Sequence, residues 1–241
     1  MIGRRLGIAA LLTTLAATVA ADPSLTVAVG GRTAIYTAAG LLVLPKATTV
    51  TIPADVAYKR SMSFRAVPIA ALLDGVASDE SIRFTAADGF VATFPVAALL
   101  AREGPVAYLA VEPPDAPWPP LKAGEAGSAG PFYLVWTSPD KSVPASEQWP
   151  YRIVRIEGVA SLAKRFPMIV PAARLATNDP IRVGFAAFQK HCMVCHTLNG
   201  GGDATLGPDL NISLQPDRIS APGRAAASDS RSAGAAPLAW R

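Results

Sequence analysis

Short apolar runs separated by turn sequences make up most of the chain between residues 25 and 157. Two pairs of these runs flank the dipeptides Gly30-Gly31 and Asp88-Gly89, which are typical of tight turns, and they predict two β-hairpins. The remaining runs favour further strands. The predicted strands are residues 25–29, 33–37, 48–52, 81–85, 90–93, 106–111, 132–137 and 151–157.

Two other apolar segments in this region predict short helices. Residues 67–73 have Pro68 in the first turn and Asp74-Gly75 at the end, which suits a helix start and stop. Residues 96–102 follow Pro95, which suits the entry to a second helix. Residues 113–120 are rich in proline and predict a surface loop. We therefore expect an α+β fold for this part of the chain.

The most informative sequence in the chain is Cys192-Met193-Val194-Cys195-His196. C-x-x-C-H is the attachment sequence of c-type haem, in which two thiols add to the porphyrin vinyl groups and the imidazole ligates the iron. On a short helix, positions i, i+3 and i+4 share one face, so all three side chains can meet one flat ring. The sequence predicts one covalent haem c on Cys192 and Cys195, with His196 as the metal ligand.

Two other sites use the C-x-x-C spacing. One is a redox-active disulfide of the thioredoxin kind, which should follow a strand in a βαβ unit, and no such unit is evident. The other is a zinc site, which needs further ligands, and the chain contains only His191 and His196 besides its two cysteines. Haem attachment is the favoured interpretation.

Residues 1–21 have the pattern of a secretory signal peptide. Arg4 and Arg5 precede an apolar stretch of small residues, and Ala20 and Ala21 suit a cleavage site. The apolar stretch is short for a membrane span, so we expect membrane association only if the leader is retained. A periplasmic location agrees with the motif, because bacteria attach haem c outside the cytoplasm.

The formal net charge of +4 gives no evidence for a nucleic-acid partner. Arg4 and Arg5 contribute two of these charges, and the segment after Asn211 contributes two more. The chain between is therefore neutral overall, without a basic patch of the kind that binds nucleic acid or anionic lipid.

Four stretches within residues 25–160 resemble the sulfite-oxidase-like molybdopterin-binding domain. They are Ala66-Val-Pro-Ile-Ala-Ala-Leu-Leu73, Ala87-Asp-Gly-Phe-Val-Ala-Thr-Phe-Pro95, Gly130-Pro-Phe-Tyr-Leu-Val135 and Trp149-Pro-Tyr-Arg-Ile-Val-Arg-Ile-Glu157. The resemblance implies that fold. That family ligates molybdenum through a cysteine, which this region lacks, so molybdopterin is not expected. Lys59, Arg60 and Arg65 could meet an anion, but a solvated surface is favoured for them.

Residues 178–211 resemble a class I cytochrome c domain in part. Gly184, Phe188 and Cys192 match the glycine, aromatic and cysteine that the family places at four-residue steps along one helix face. Leu206-Gly207-Pro208-Asp209-Leu210 resembles the segment in which a proline carbonyl accepts the Nδ1–H of the haem histidine. The resemblance implies this role for Pro208 toward His196, in a small, incomplete all-α domain.

The resemblance stops after Asn211. No methionine follows His196 to act as a sixth haem ligand, and Met193 and His191 lie too close to the attachment residues to reach the opposite haem face. Of residues 212–241, 22 are Ala, Ser, Arg, Pro or Gly, a composition that cannot readily bury a face. We expect a disordered tail or one encoded out of the ancestral reading frame.

The sequence as a whole favours a periplasmic c-type cytochrome that carries single electrons. It would exchange them with a redox partner protein such as a periplasmic dehydrogenase or a respiratory acceptor. An electron-transfer protein or subunit is favoured over an enzyme in its own right, and no catalytic residue is predicted. The alternative is a non-redox docking or binding module in which the haem segment is truncated and inactive.

Overall fold

The structure is a computed structural model that describes residues 22–77, 80–137 and 144–211. The predicted signal peptide at 1–21 and the predicted tail at 212–241 lie outside the described residues. The elements in chain order are β1 Ser24–Val29, β2 Arg32–Thr37, α1 Ala38–Leu42, β3 Thr48–Ile52, β4 Met62–Pro68, β5 Glu80–Ala86, β6 Val91–Pro95, α2 Val96–Leu99, β7 Val106–Val111, β8 Phe132–Thr137, β9 Ile153–Ala160, α3 Leu162–Arg165 and α4 Pro180–His191. Single 3-10 turns occupy Ile69–Leu72, Ser146–Gln148 and Pro167–Ile169.

The nine strands form two sheets, which we call sheet A and sheet B. Sheet A has the order β2-β1-β9-β5-β6, and sheet B has the order β3-β4-β7-β8. Every pairing is antiparallel except that of β1 with β9, which is parallel and aligns Val27 with Ile156. We call residues 24–160, which contain both sheets, the β body.

One hydrophobic core runs through the β body. Strands β7 and β8 are buried along most of their length, so both faces of these strands are apolar. Phe64 lies at the centre, where its ring packs against Tyr133 with centroids 5.8 Å apart and against Trp118 at 4.8 Å. Trp118 belongs to the proline-rich loop predicted at 113–120, so this loop is partly fastened to the core.

A buried carboxyl group lies beside this core. Asp55 is 1% exposed, and its Oδ1 accepts hydrogen bonds from the backbone N–H groups of Ala57 at 2.9 Å and Tyr58 at 2.8 Å. The Tyr133 hydroxyl lies close enough to interact with Asp55, yet neither that hydroxyl nor Asp55 Oδ2 has a hydrogen-bond partner among the described residues. Burial raises the pKa of Asp55 more than these hydrogen bonds lower it.

The predicted fold class is wrong. The described residues form mainly β-sheet, with four short α-helices that are 4 to 12 residues long, instead of an α+β domain followed by an all-α cytochrome c domain. The helix predicted at 67–73 is instead the end of β4 followed by a single 3-10 turn. Pairing of Val67 and Pro68 with β7 draws the start of this apolar segment into sheet B, and a local pattern cannot report such pairing.

The predicted all-α cytochrome domain is not seen in the described residues. Within the predicted range of 178–211, only α4 is an α-helix, and a loop with one β-bridge between Leu198 and Gly201 follows it. The glycine-rich stretch after His196, Gly200-Gly-Gly202, favours a loop over a second helix. No helix among the described residues is long and apolar enough to cross a membrane.

Several local predictions are confirmed. The hairpins around Gly30-Gly31 and Asp88-Gly89 are present, and β3, β7 and β8 have the predicted bounds. The helix after Pro95 forms but ends at Leu99 instead of residue 102.

Candidate haem-attachment site

Helix α4 leads directly into the C-x-x-C-H motif, and its start is well specified. Asp179 caps the helix by accepting a hydrogen bond from the Ile181 N–H at 2.9 Å, and Pro180 occupies the first turn, where no N–H is needed. Arg182 then fastens this end to the preceding chain, since its guanidinium donates to the carbonyls of Leu175 and Ala173 at 2.9 and 3.0 Å. Helix α4 therefore begins at a fixed position, and the motif follows directly after its last residue, His191.

The motif itself continues α4 by about one turn. The N–H groups of Cys192 and Met193 both donate to the carbonyl of Phe188 at 2.9 Å. The N–H groups of Cys195 and His196 donate in turn to the carbonyl of Cys192 at 3.0 and 2.9 Å. Both cysteines are free thiols and partly exposed. The turn thus presents two reactive sulfur atoms and an imidazole within five consecutive residues.

A loop returns from the motif to the His196 side chain. We call residues 192–211 the motif loop. The Nδ1 of His196 lies 2.8 Å from the carbonyl oxygen of Pro208, and since a carbonyl can only accept, the proton is on Nδ1. The ring nitrogen that remains for a metal is therefore Nε2. This contact is the one that the sequence predicts between these two residues.

Gly207 makes that contact possible. A Cβ atom at this position would lie 2.5 Å from His196 Cε1 and 2.6 Å from Nδ1, which is too close for any side chain. The N–H of Gly207 also donates to the carbonyl of Cys195 at 2.6 Å. The backbone thus lies directly against the imidazole ring. Gly207 belongs to the Leu206–Leu210 segment that resembles cytochromes c, but the resemblance implies no role for it.

Asp209 holds the two ends of the motif loop together. Its carboxylate accepts hydrogen bonds from the Thr197 hydroxyl at 2.9 Å and from the N–H groups of Gly200 at 2.6 Å and Asn199 at 3.1 Å. Partial burial raises the pKa of Asp209, but these hydrogen bonds outweigh it and hold the pKa below its ordinary value. Sequence reasoning missed this residue, although its position next to Pro208 was the available signal.

One face of α4 is open. A Cβ atom at Gly184 would meet no described atom within 4 Å, and no residue of the helix is buried. Phe188 stacks on Phe185, at a centroid distance of 6.4 Å. No described residue of another element therefore approaches the helix closely at Gly184.

The side chains considered as alternative iron ligands face elsewhere. Met193 lines a groove between α4 and β6 together with Thr93 and Gln189. The Nδ1 of His191 lies 3.7 Å from the carboxylate of Glu147, in the segment before β9. Both side chains therefore lie against residues of the β body.

The basic residues considered for an anion site lie on the surface. Lys59, Arg60 and Arg65 are all exposed, and Arg65 donates to the backbone carbonyl of Leu42 at 3.1 Å. Their arrangement is that of a solvated surface.

Comparison with known proteins adds no further constraint. No protein family matches the chain, and no curated protein is similar to it. Within the described ranges, no group of three or more His, Cys, Asp and Glu side chains is placed to hold a metal ion. The chemistry of the site therefore has to be argued from its own geometry.

Proposed function

We propose that the chain carries one haem c, attached through Cys192 and Cys195 and ligated by His196, and that it acts as a periplasmic electron carrier. The observation that supports this most is the hydrogen bond from His196 Nδ1 to the carbonyl of Pro208. A histidine held in this way presents Nε2, and the bond makes the imidazole a better donor to a metal.

The surroundings of the motif fit a porphyrin better than a single metal ion. Leu206 and Leu210, in the same loop as the histidine partner, are 55% and 49% exposed. Covering apolar side chains of this size stabilises a complex, because about 25 cal/mol is gained for each Å² removed from water. A bare ion would leave both leucines in water, whereas a flat apolar ring can cover them.

The attachment chemistry needs only the two thiols. Each S–H adds across a vinyl group, so a C–S bond forms and the hydrogen passes to the neighbouring carbon atom. No third cysteine competes for either thiol, since Cys192 and Cys195 are the only cysteines in the chain. When bound, haem c supplies a one-electron couple. The protein partner would be a periplasmic dehydrogenase or a respiratory acceptor.

The test is to export the chain in a host that has a c-type haem maturation system. We expect one haem per chain that stays attached after denaturation, as measured by haem staining of a denaturing gel and by the absorption of the pyridine complex. The double variant Cys192→Ser, Cys195→Ser should lose this haem. Met193→Leu, between the two cysteines, is the matched control and should keep it.

A wild-type chain without covalent haem would overturn the proposal. The oxidised and reduced spectra also report how the iron is coordinated. Broad high-spin bands indicate an open sixth position, and sharp low-spin bands indicate a second axial ligand. If no haem is attached, the docking module becomes the better interpretation, and a thiol titration would show whether the cysteines instead cycle as a disulfide.

A further inference from the structure

Asp203 lies at the tip of the motif loop, and its carboxylate contacts strands β5 and β6 of the β body. Its side chain is only 8% exposed. Arg165 of α3 donates to both carboxylate oxygens through its two terminal nitrogens. Arg83 of β5 donates at 3.0 Å, and the hydroxyl of Thr93 of β6 donates at 3.2 Å. Three separate elements therefore bind one side chain of the loop.

The cations that bind Asp203 are themselves fixed. The guanidinium of Arg83 also donates to Glu157 of β9 through Nε at 3.1 Å and Nη2 at 2.8 Å. The Nε of Arg165 donates to the carbonyl of Ala160 at 2.9 Å. Burial raises the pKa of Asp203, but Arg165 and Arg83 outweigh it and hold the pKa low. The Asp203 carboxylate is therefore ionised, and the two guanidinium groups that bind it are held in place by their other hydrogen bonds.

The tip of the loop also lies close to the chain before α4. A Cβ atom at Gly201 would lie 2.8 Å from Ile169 Cγ2, so the backbone of the loop lies directly on this side chain. Helix α4, by contrast, has no buried residue. The charged contact at Asp203 is therefore the strongest polar link between the motif loop and the β body in the described residues.

We infer that Asp203 is a positioning residue, which fixes the tip of the motif loop on sheet A so that the His196–Pro208 hydrogen bond is formed before any haem is attached. Asp203 lies between these two residues in the chain, and the loop segment around it is rich in glycine. Without the anchor, this segment would gain conformational freedom, and only the bonds of Asp209 and the Gly207 N–H would hold Pro208 at the imidazole, so the His196–Pro208 bond would open more often. Any effect of Asp203 on a bound haem rests on the proposed function, whereas its effect on the His196–Pro208 hydrogen bond does not.

The test uses the haem-free full chain, in which only two histidines give imidazole signals. Nitrogen-15 NMR of the histidine side chains reports the tautomer of His196 and the exchange rate of its Nδ1 proton. The variant Asp203→Asn should speed this exchange by about tenfold or more, since a charge-assisted hydrogen bond contributes more than the 1.4 kcal/mol that corresponds to a factor of ten. Asp74→Asn, an exposed carboxylate paired with Arg32, is the matched control and should change nothing.

A second variant keeps the inference testable if Asp203→Asn does not fold. Arg165→Gln removes the two donors from α3 but leaves the strands of sheet A intact, and it should produce the same faster exchange at His196. Unchanged exchange in either folded variant would overturn the inference.

A readout on the loaded protein separates this inference from the proposed function. With haem attached, Asp203→Asn should raise the reduction potential, because a weaker Nδ1 bond makes the imidazole a poorer donor. Failure of the wild type to attach haem would overturn the proposed function, while the exchange measurement would still decide the role of Asp203.

Discussion

Gly207→Ala is a substitution whose effect follows directly from the geometry of the site. The new Cβ would lie 2.5 Å from His196 Cε1, whereas ordinary contacts begin at 3.4 Å. The imidazole ring, the backbone or both must therefore move by about 0.9 Å. Since Pro208 follows position 207 on the same backbone, a ring pushed away from the new methyl group also leaves the proline carbonyl. The present 2.8 Å bond would then exceed hydrogen-bonding distance.

Two costs combine in this variant. Forcing an extra methyl group into a filled space costs about 1 to 3 kcal/mol. Losing the hydrogen bond of the imidazole costs a further 0.5 to 1.5 kcal/mol, roughly. We therefore expect the free energy that holds the motif loop closed to fall by about 1.5 to 4.5 kcal/mol, and the same loss should lower the yield of haem attachment.

Hydrogen exchange of the haem-free chain measures this loss. The amide of Gly207, which donates to Cys195, and the Nδ1 proton of His196 should lose protection by more than about tenfold, because 1.4 kcal/mol is a factor of ten. Gly184→Ala is the matched control. Its Cβ meets no described atom, and alanine stabilises a helix interior by roughly 0.5 to 1 kcal/mol over glycine. Equal protection in the wild type and Gly207→Ala would refute the steric reasoning.

Two further predictions concern the β body. The folded-state pKa of Asp55 is raised, so its contribution to stability is fully present below the ordinary value of 3.8 and is lost as pH rises through the folded pKa. Asp55→Asn should remove this decline, as seen in urea midpoints measured from pH 3 to pH 8, and a variant with the wild-type slope would contradict the assignment. Phe64→Ala, at a side chain that is 1% exposed, should cost about 3 to 5 kcal/mol in the free energy of unfolding. Chemical denaturation checks this, with the exposed Ile35→Ala as a control that should cost little.

Local sequence signals predicted the hairpins because their turn residues and their partner strands are adjacent in the chain. The positive φ of Gly30 and Gly31, at 55° and 71°, is what glycine permits at such a turn. Strand β4 was missed although Met62-Ser-Phe-Arg-Ala66 alternates apolar and polar residues, because the apolar run that begins at Val67 was assigned to a helix. An apolar run of this length suits either a buried strand or a buried helix, and only the pairing decides between them.

The residues of the candidate site also differ in whether the sequence alone could identify them. The cysteines, His196 and Pro208 belong to a short motif whose spacing carries the chemistry, so they could be identified from the sequence. The contact between Asp203 and Arg83 joins residues 120 positions apart, and neither belongs to a recognisable pattern. Asp209 makes only short-range contacts, but a single aspartate in a loop is too common to predict a role for it.

The parallel pairing of β1 with β9 has a consequence for how the protein folds. β9 is the last strand of the β body, and it lies between β1 and β5 in the middle of sheet A. The hairpins β1-β2 and β5-β6 can form early, but neither can join the other until residues 153–160 have been made. Such long-range closure is slow, because a large loop must be ordered before its contacts compensate. The C-x-x-C-H motif follows shortly after β9, so the sheet that receives Asp203 is completed only when the attachment residues are about to emerge.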